Sequence, residues 1–110
     1  MKRADRADRR RLTRAYLALQ EEVGSILDRH DPVGLIATGS PAGEYMPEVR
    51  TILPRLREAT GPDDALRITN EEFEKWFDRA ASESEEIGLE IWAAWQRYLG
   101  QADSTRSGAD

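Results

Sequence analysis

The chain has 110 residues, with 16 Lys+Arg against 21 Asp+Glu, one His, no Cys, a formal charge of −5 and 34 % charged residues. That length fits a single domain around one modest core. The absence of cysteine excludes a disulfide framework, a thiolate metal site and a cysteine nucleophile, and a single histidine excludes the two-His zinc motifs.

The charge is unevenly placed. Met1 to Arg14 holds seven basic and two acidic residues, a net +5, whereas Ala15 to Asp110 holds nine and nineteen, a net −10. Residues 1–11 therefore read as a basic arm or helix extension, 12–100 as one helical domain and 101–110 as a disordered tail. No apolar run approaches the ~18 residues of a membrane span, and no secretory signal follows the basic start, so a cytoplasmic protein is expected. An acidic body does not neutralise phosphate, which leaves the arm as the one place for nucleic acid.

The first helix is written in Leu12, Tyr16, Leu19, Val23 and Ile26. At 100° per residue they fall within a stripe of about 80°. This 4-3-4-3 seam also permits a homodimer through helix seams. Pro32 disfavours helix in the residue before it, so the helix ends near Asp31. Pro32 to Gly43 is a long Pro/Gly-containing connection whose Val33, Leu35 and Ile36 are expected to fold back onto the core. A second helix begins near Glu44, with Pro47 in its first turn, and Pro54 is expected to kink or break it.

Asp63 or Asp64 caps a short turn over Ala65 to Ile68. Thr69-Asn70-Glu71-Glu72 then has the form of a capping box, starting a helix that presents Phe73, Trp76, Phe77 and Ala80. Ser82 to Glu86 is a polar joint with a second such box at Ser82 and Glu85. The last helix carries Ile87, Ile91, Trp92, Trp95, Tyr98 and Leu99 over about 140° of its circumference, a face wide enough to be partly an interface. Gly100 is a natural stop. The fold expected is all-α, a compact bundle of about four helices.

Three groups of residues invite a functional reading. His30 and Asp31 end the first helix and Glu44 and Tyr45 open the second. In an antiparallel pair these four meet at one end, where imidazole, carboxylates and phenol suit acid/base or cation chemistry. The structural alternative makes His30 a dipole partner, Asp31 a turn residue and Glu44 an acid at a helix N-terminus. Trp92, Trp95 and Trp76 are candidate partner anchors, Trp92 the most exposed, or else large core residues. The arm, with Lys2, Arg3, Arg6, Arg9, Arg10, Arg11 and Arg14, is a contact for a nucleic acid, an acidic partner or the acidic body of another copy, or a solvated extension in which Asp5 and Asp8 pair with neighbouring arginines. No Gly-rich phosphate loop, catalytic set, metal site or cofactor motif stands out.

Asp31-Pro32-Val33-Gly34, followed by a loop and by Glu44-Tyr45 and Glu48-Val49-x-x-Ile52, resembles the YugE-like family of small bacterial all-helical proteins. The likeness spans Leu12 to Leu56, and Gly43 stands where that family usually has an acid. It implies a compact helical fold and no activity, since the family is one of unknown function. Two readings follow for this chain. The first is a small acidic, non-enzymatic protein-binding module that neutralises a basic protein, as an immunity protein does. The second is a small-ligand or metal-dependent enzyme built on His30, Asp31, Glu44 and Tyr45.

Overall fold

The computed structural model describes residues 6–39, 43–77 and 85–107. Among them are four α-helices and no strand: α1 (Arg6–His30), α2 (Met46–Ile52), α3 (Pro62–Phe77) and α4 (Glu85–Ser107). A 3-10 segment, Leu53–Glu58, continues directly from α2. The expected all-α bundle is what the chain forms. No helix among the described residues is long and apolar enough to cross a membrane.

α4 packs between α1 and α3, and α2 with its 3-10 extension bridges α1 and α3. The seam of α1 supplies Leu19, Val23 and Ile26 to the core, joined by Leu27. Opposite them lie Tyr45, Val49, Ile52, Leu53 and Leu56 from the second segment, Ile68 and Phe73 from α3, and Ile87, Ile91 and Trp95 from α4. Pro54 acts where expected: lacking an N–H, it ends the α-helical ladder, and the chain tightens into 3-10 geometry with Pro in its first turn.

α1 closes on a residue that does the work usually given to glycine. The Asp31 N–H bonds back to the Leu27 carbonyl at 2.7 Å, and Asp31 itself has φ of 48°. A left-handed residue after the last helical turn is a common stop, and Asp is among the few side-chain-bearing residues that tolerate it. Val33, Leu35 and Ile36 then pack, half-buried, against the core as the apolar loop residues predicted.

Three sequence expectations are corrected. α3 is one helix, with no new start at Thr69: that residue is buried, and its hydroxyl donates to the Ala65 carbonyl at 2.8 Å instead of capping. Ala65, Ile68, Thr69, Glu72 and Phe73 form one continuous buried face, and burying that face outweighs a local capping signal. The entry is instead pinned by Asp64, whose carboxylate accepts the Thr60 N–H and hydroxyl, both at 2.9 Å. The second helix starts at Met46, with Glu44 and Tyr45 in the preceding turn. Finally, α4 passes through Gly100 to Ser107, so 101–107 is helical rather than a tail. One glycine costs an ongoing helix only about 1 kcal/mol. The proposed box at Ser82 and the arm pairings of Asp5 and Asp8 lie outside the described residues and side chains.

Candidate functional site

Of the four residues expected to converge after α1, Asp31 and Tyr45 form one arrangement, His30 enters another, and Glu44 joins neither. Asp31 and Tyr45 meet: the phenol donates to Asp31 Oδ1 at 2.7 Å. The same carboxylate accepts the Ile36 and Ala37 amides, each at 2.9 Å, and the phenol oxygen accepts the Val33 N–H at 3.3 Å. Tyr45 is fully buried and stacks on Phe73 with ring centres 5.8 Å apart. Burial, reinforced by the neighbouring carboxylate, pushes the Tyr45 hydroxyl up to about 12, while the hydrogen bond from Tyr45 holds Asp31 below its ordinary value. A phenol held in its protonated form and bonded to an acid whose ionised form is favoured makes a structural clasp for the loop.

His30 turns away to α4. Its Nε2 lies 2.7 Å from Glu90 Oε2, and the Arg29 guanidinium reaches Glu90 Oε1 at 2.9 Å. The Arg29 hydrogen bond, with His30 beside it, holds the Glu90 carboxyl below its ordinary range. Glu44 is exposed and joins neither arrangement. Among the described residues, no group of three or more His, Cys, Asp or Glu side chains is placed to hold a metal ion. The acid/His/Tyr cluster of the enzyme reading is therefore not assembled.

The tryptophans also part company. Trp95 is a core residue, 5 % exposed, packed against Tyr98 with ring centres 5.4 Å apart. Trp92 is half-buried, and it is Trp76 that stands out, at 52 % exposed. The expectation that Trp92 is the exposed one is corrected. Trp76 follows Glu72 and Phe73 at helical spacing and shares their face of α3, but it lies in the last turn and is exposed where they are buried.

Two acids, Glu72 of the expected capping box and Glu48, are buried, which the sequence did not signal. Glu72 receives Arg55 at 2.8 Å and Lys75 at 2.8 Å, and Arg55 also binds Glu71. Burial pushes the Glu72 carboxyl up, but hydrogen bonds from Lys75, Thr51 and Arg55 together outweigh it and leave it lowered. Glu48, 3 % exposed in the first turn of α2, is less well compensated: its own backbone N–H offsets part of the burial, and its Oε2 has no hydrogen-bond partner. Burial raises its carboxyl, and the Glu44 charge adds to the effect.

An open groove of about 590 Å³ lies on the outer side of α3. Asp63, Arg67, Asn70, Glu71 and Glu74 line it from α3 and Glu85 from α4, with Leu66 as its apolar floor. The α3 residues recur at helical spacing on the side turned from the core. Four carboxylates against one guanidinium make the groove acidic, and that guanidinium is engaged by Asp64 at 3.6 Å and Glu71 at 3.4 Å. The signal was present in the sequence, but reading two helices with a break at Thr69 split it in half. A smaller cleft of about 70 Å³ lies between α1 and α4 beside the Glu22–Arg97 ion pair.

Comparison with models of known protein families, with curated proteins and with solved structures finds no match for this chain. What fold and site define is a class: an all-α bundle whose polar loop cluster is used in its own architecture and which carries an acidic groove on α3.

Proposed function

We propose that the chain is a small acidic, non-enzymatic protein-binding module that engages a basic segment of another protein. The observation that carries this reading is the α3 groove. Asp63, Glu71, Glu74 and Glu85 surround an apolar floor at Leu66, which suits a segment alternating Lys or Arg with aliphatic residues. The net −10 of residues 15–110 adds long-range attraction for such a partner and raises its association rate. The Asp31–Tyr45 clasp and the Glu90 pairing leave the competing enzyme reading without a convergent set of groups. Trp76, exposed on another face of α3, is a secondary contact in this scheme, and a cytoplasmic location remains part of the proposal. The likeness to the YugE-like family, resting on Asp31-Pro32-Val33-Gly34 and Glu44-Tyr45, is proposed as kinship in fold and brings no activity with it. Affinity capture from a native lysate across a salt series tests the reading. A stoichiometric, basic, salt-sensitive partner is expected, and recovery of none contradicts it.

A further inference from the structure

Between Glu86 and Asp103 the only charged residues in α4 are Glu90 and Arg97. Both are drawn sideways onto α1, Glu90 by Arg29 and Arg97 by Glu22. α1 thus flanks α4 on one side, and α3 flanks it on another, where Gly88 lies close against Leu66 and Pro62. The core occupies a third. The remaining side carries Leu89, Trp92, Ala93, Gln96, Leu99 and Gly100, which fall within about 120° at 3.6 residues per turn. Leu89 is 51 % exposed, Ala93, Gln96 and Gly100 are exposed, and Trp92 and Leu99 are half-buried. In a chain with 34 % charged residues, an open face of three turns without a charge is out of character with the rest of the surface.

We propose that this face docks a second copy of the chain, α4 against α4, antiparallel across a two-fold axis. Ala93 and Gly100, seven residues apart, lower the helix surface and let another helix approach closely, with Leu89 and Leu99 as flanking knobs. Charge selects both the occupant and the orientation. The contact between Tyr16 and Tyr98, ring centres 5.8 Å apart, sets the early part of α1 beside the late part of α4. The exposed Arg9 and Arg14 therefore mark one end of the molecule, and Glu74 and Glu85 mark the other. An antiparallel pair places the basic end of each copy beside the acidic end of the other, twice. A parallel pair opposes like charges. Because the surface is complementary to itself about a two-fold axis, the assembly closes at two copies. The face adjoins the α3 groove at Glu85, but Ala93 and Gln96 do not line the groove, so loss of partner binding and loss of self-pairing are independently observable in variants at those two positions.

The chain has no native cysteine, which makes single-cysteine variants clean reporters. Light scattering of the unaltered chain at high micromolar concentration is expected to give about twice 12.5 kDa. Gln96→Cys, near the centre of the pairing, is expected to cross-link to itself on mild oxidation. Leu89→Cys is not, because antiparallel pairing sets those two positions about 20 Å apart at 1.5 Å rise per residue. Ala93→Glu is expected to be monomeric with unchanged helicity; if it fails to fold, Gln96→Lys replaces it as the charged probe. The proposal is overturned by a 12.5 kDa mass at every concentration. It is equally overturned by a folded charged variant that still pairs, or by position 89 cross-linking in preference to position 96.

Discussion

Tyr45 holds Asp31 in a left-handed conformation that an aspartate seldom adopts: the phenol donates to Oδ1 at 2.7 Å while the Asp31 backbone sits at φ of 48°. The bond ties the stop of α1 to the residue that precedes α2 and so fixes the intervening loop against the core. Tyr45→Phe removes it while keeping the ring on Phe73, and is expected to cost about 1–2 kcal/mol at neutral pH. Asp31 is held below its ordinary value, so its share of stability is present above that value and is lost as pH falls through the folded one. The gap between wild type and Tyr45→Phe in urea denaturation is therefore expected to be largest at neutral pH and to close in acid. A gap that does not change with pH contradicts the clasp.

Two glycines of α4 should respond in opposite directions to the same substitution. A Cβ on Gly88 would lie 2.7 Å from Leu66 Cβ and 2.8 Å from the Pro62 carbonyl oxygen, at the crossing of α3 and α4. Backbone and packed side chain must move, so Gly88→Ala is expected to destabilise by about 1–3 kcal/mol despite the better helix former. A Cβ on Gly100 meets nothing within 4 Å. Gly100→Ala is expected to stabilise the dilute chain by about 0.5–1 kcal/mol. Thermal melts of the two variants side by side check both signs.

Glu48 is a buried acid whose Oε2 has no hydrogen-bond partner. Its carboxyl is raised above the ordinary value, so the fold favours the protonated form. Its contribution is thus full in acid and is lost as pH rises through the folded value. Glu48→Met, which keeps the volume and removes the charge, is expected to stabilise the chain at neutral pH by about 1 kcal/mol. The gain should vanish below the ordinary carboxylate range. Loss of stability at neutral pH would show that Glu48 has a favourable partner after all.

Arg55 bridges Glu71 and the buried Glu72 and ties the 3-10 segment to α3. Arg55→Met leaves Glu72 with Lys75 as its remaining cation and is expected to cost about 1–3 kcal/mol. Because both carboxyls are lowered in the folded chain, this cost should diminish as pH falls through their folded values. Chemical denaturation at neutral and acid pH measures it.

Much of the architecture was legible in local pattern. The Leu19–Val23–Ile26 seam, the halt before Pro32, the break at Pro54 and the core-facing loop residues all follow from periodicity or from proline's missing N–H. What periodicity does not convey is where a neighbouring helix ends. Trp76 and Phe73 share a face of α3, yet one is half-exposed and the other fully buried. Thr69 misleads for a related reason: its capping signature is local, and the buried face it belongs to extends in both directions. His30 and Asp31 are adjacent in sequence, but the left-handed turn at Asp31 sends one side chain to α4 and the other to Tyr45. The acidic groove was hidden by the break read into α3, since half of its residues lie on either side of Thr69.

In the proposed function the α3 groove, and not net charge alone, recognises a basic segment. The most direct measurement compares two charge reversals of equal size, Glu74→Lys in the groove and Glu21→Lys on the exposed surface of α1, in titrations with a Lys/Arg-rich peptide containing aliphatic residues. Glu74→Lys is expected to weaken binding by roughly tenfold, equivalent to about 1.4 kcal/mol, while Glu21→Lys changes it far less. Equal losses from the two variants, or no measurable binding by the unaltered chain, would contradict it.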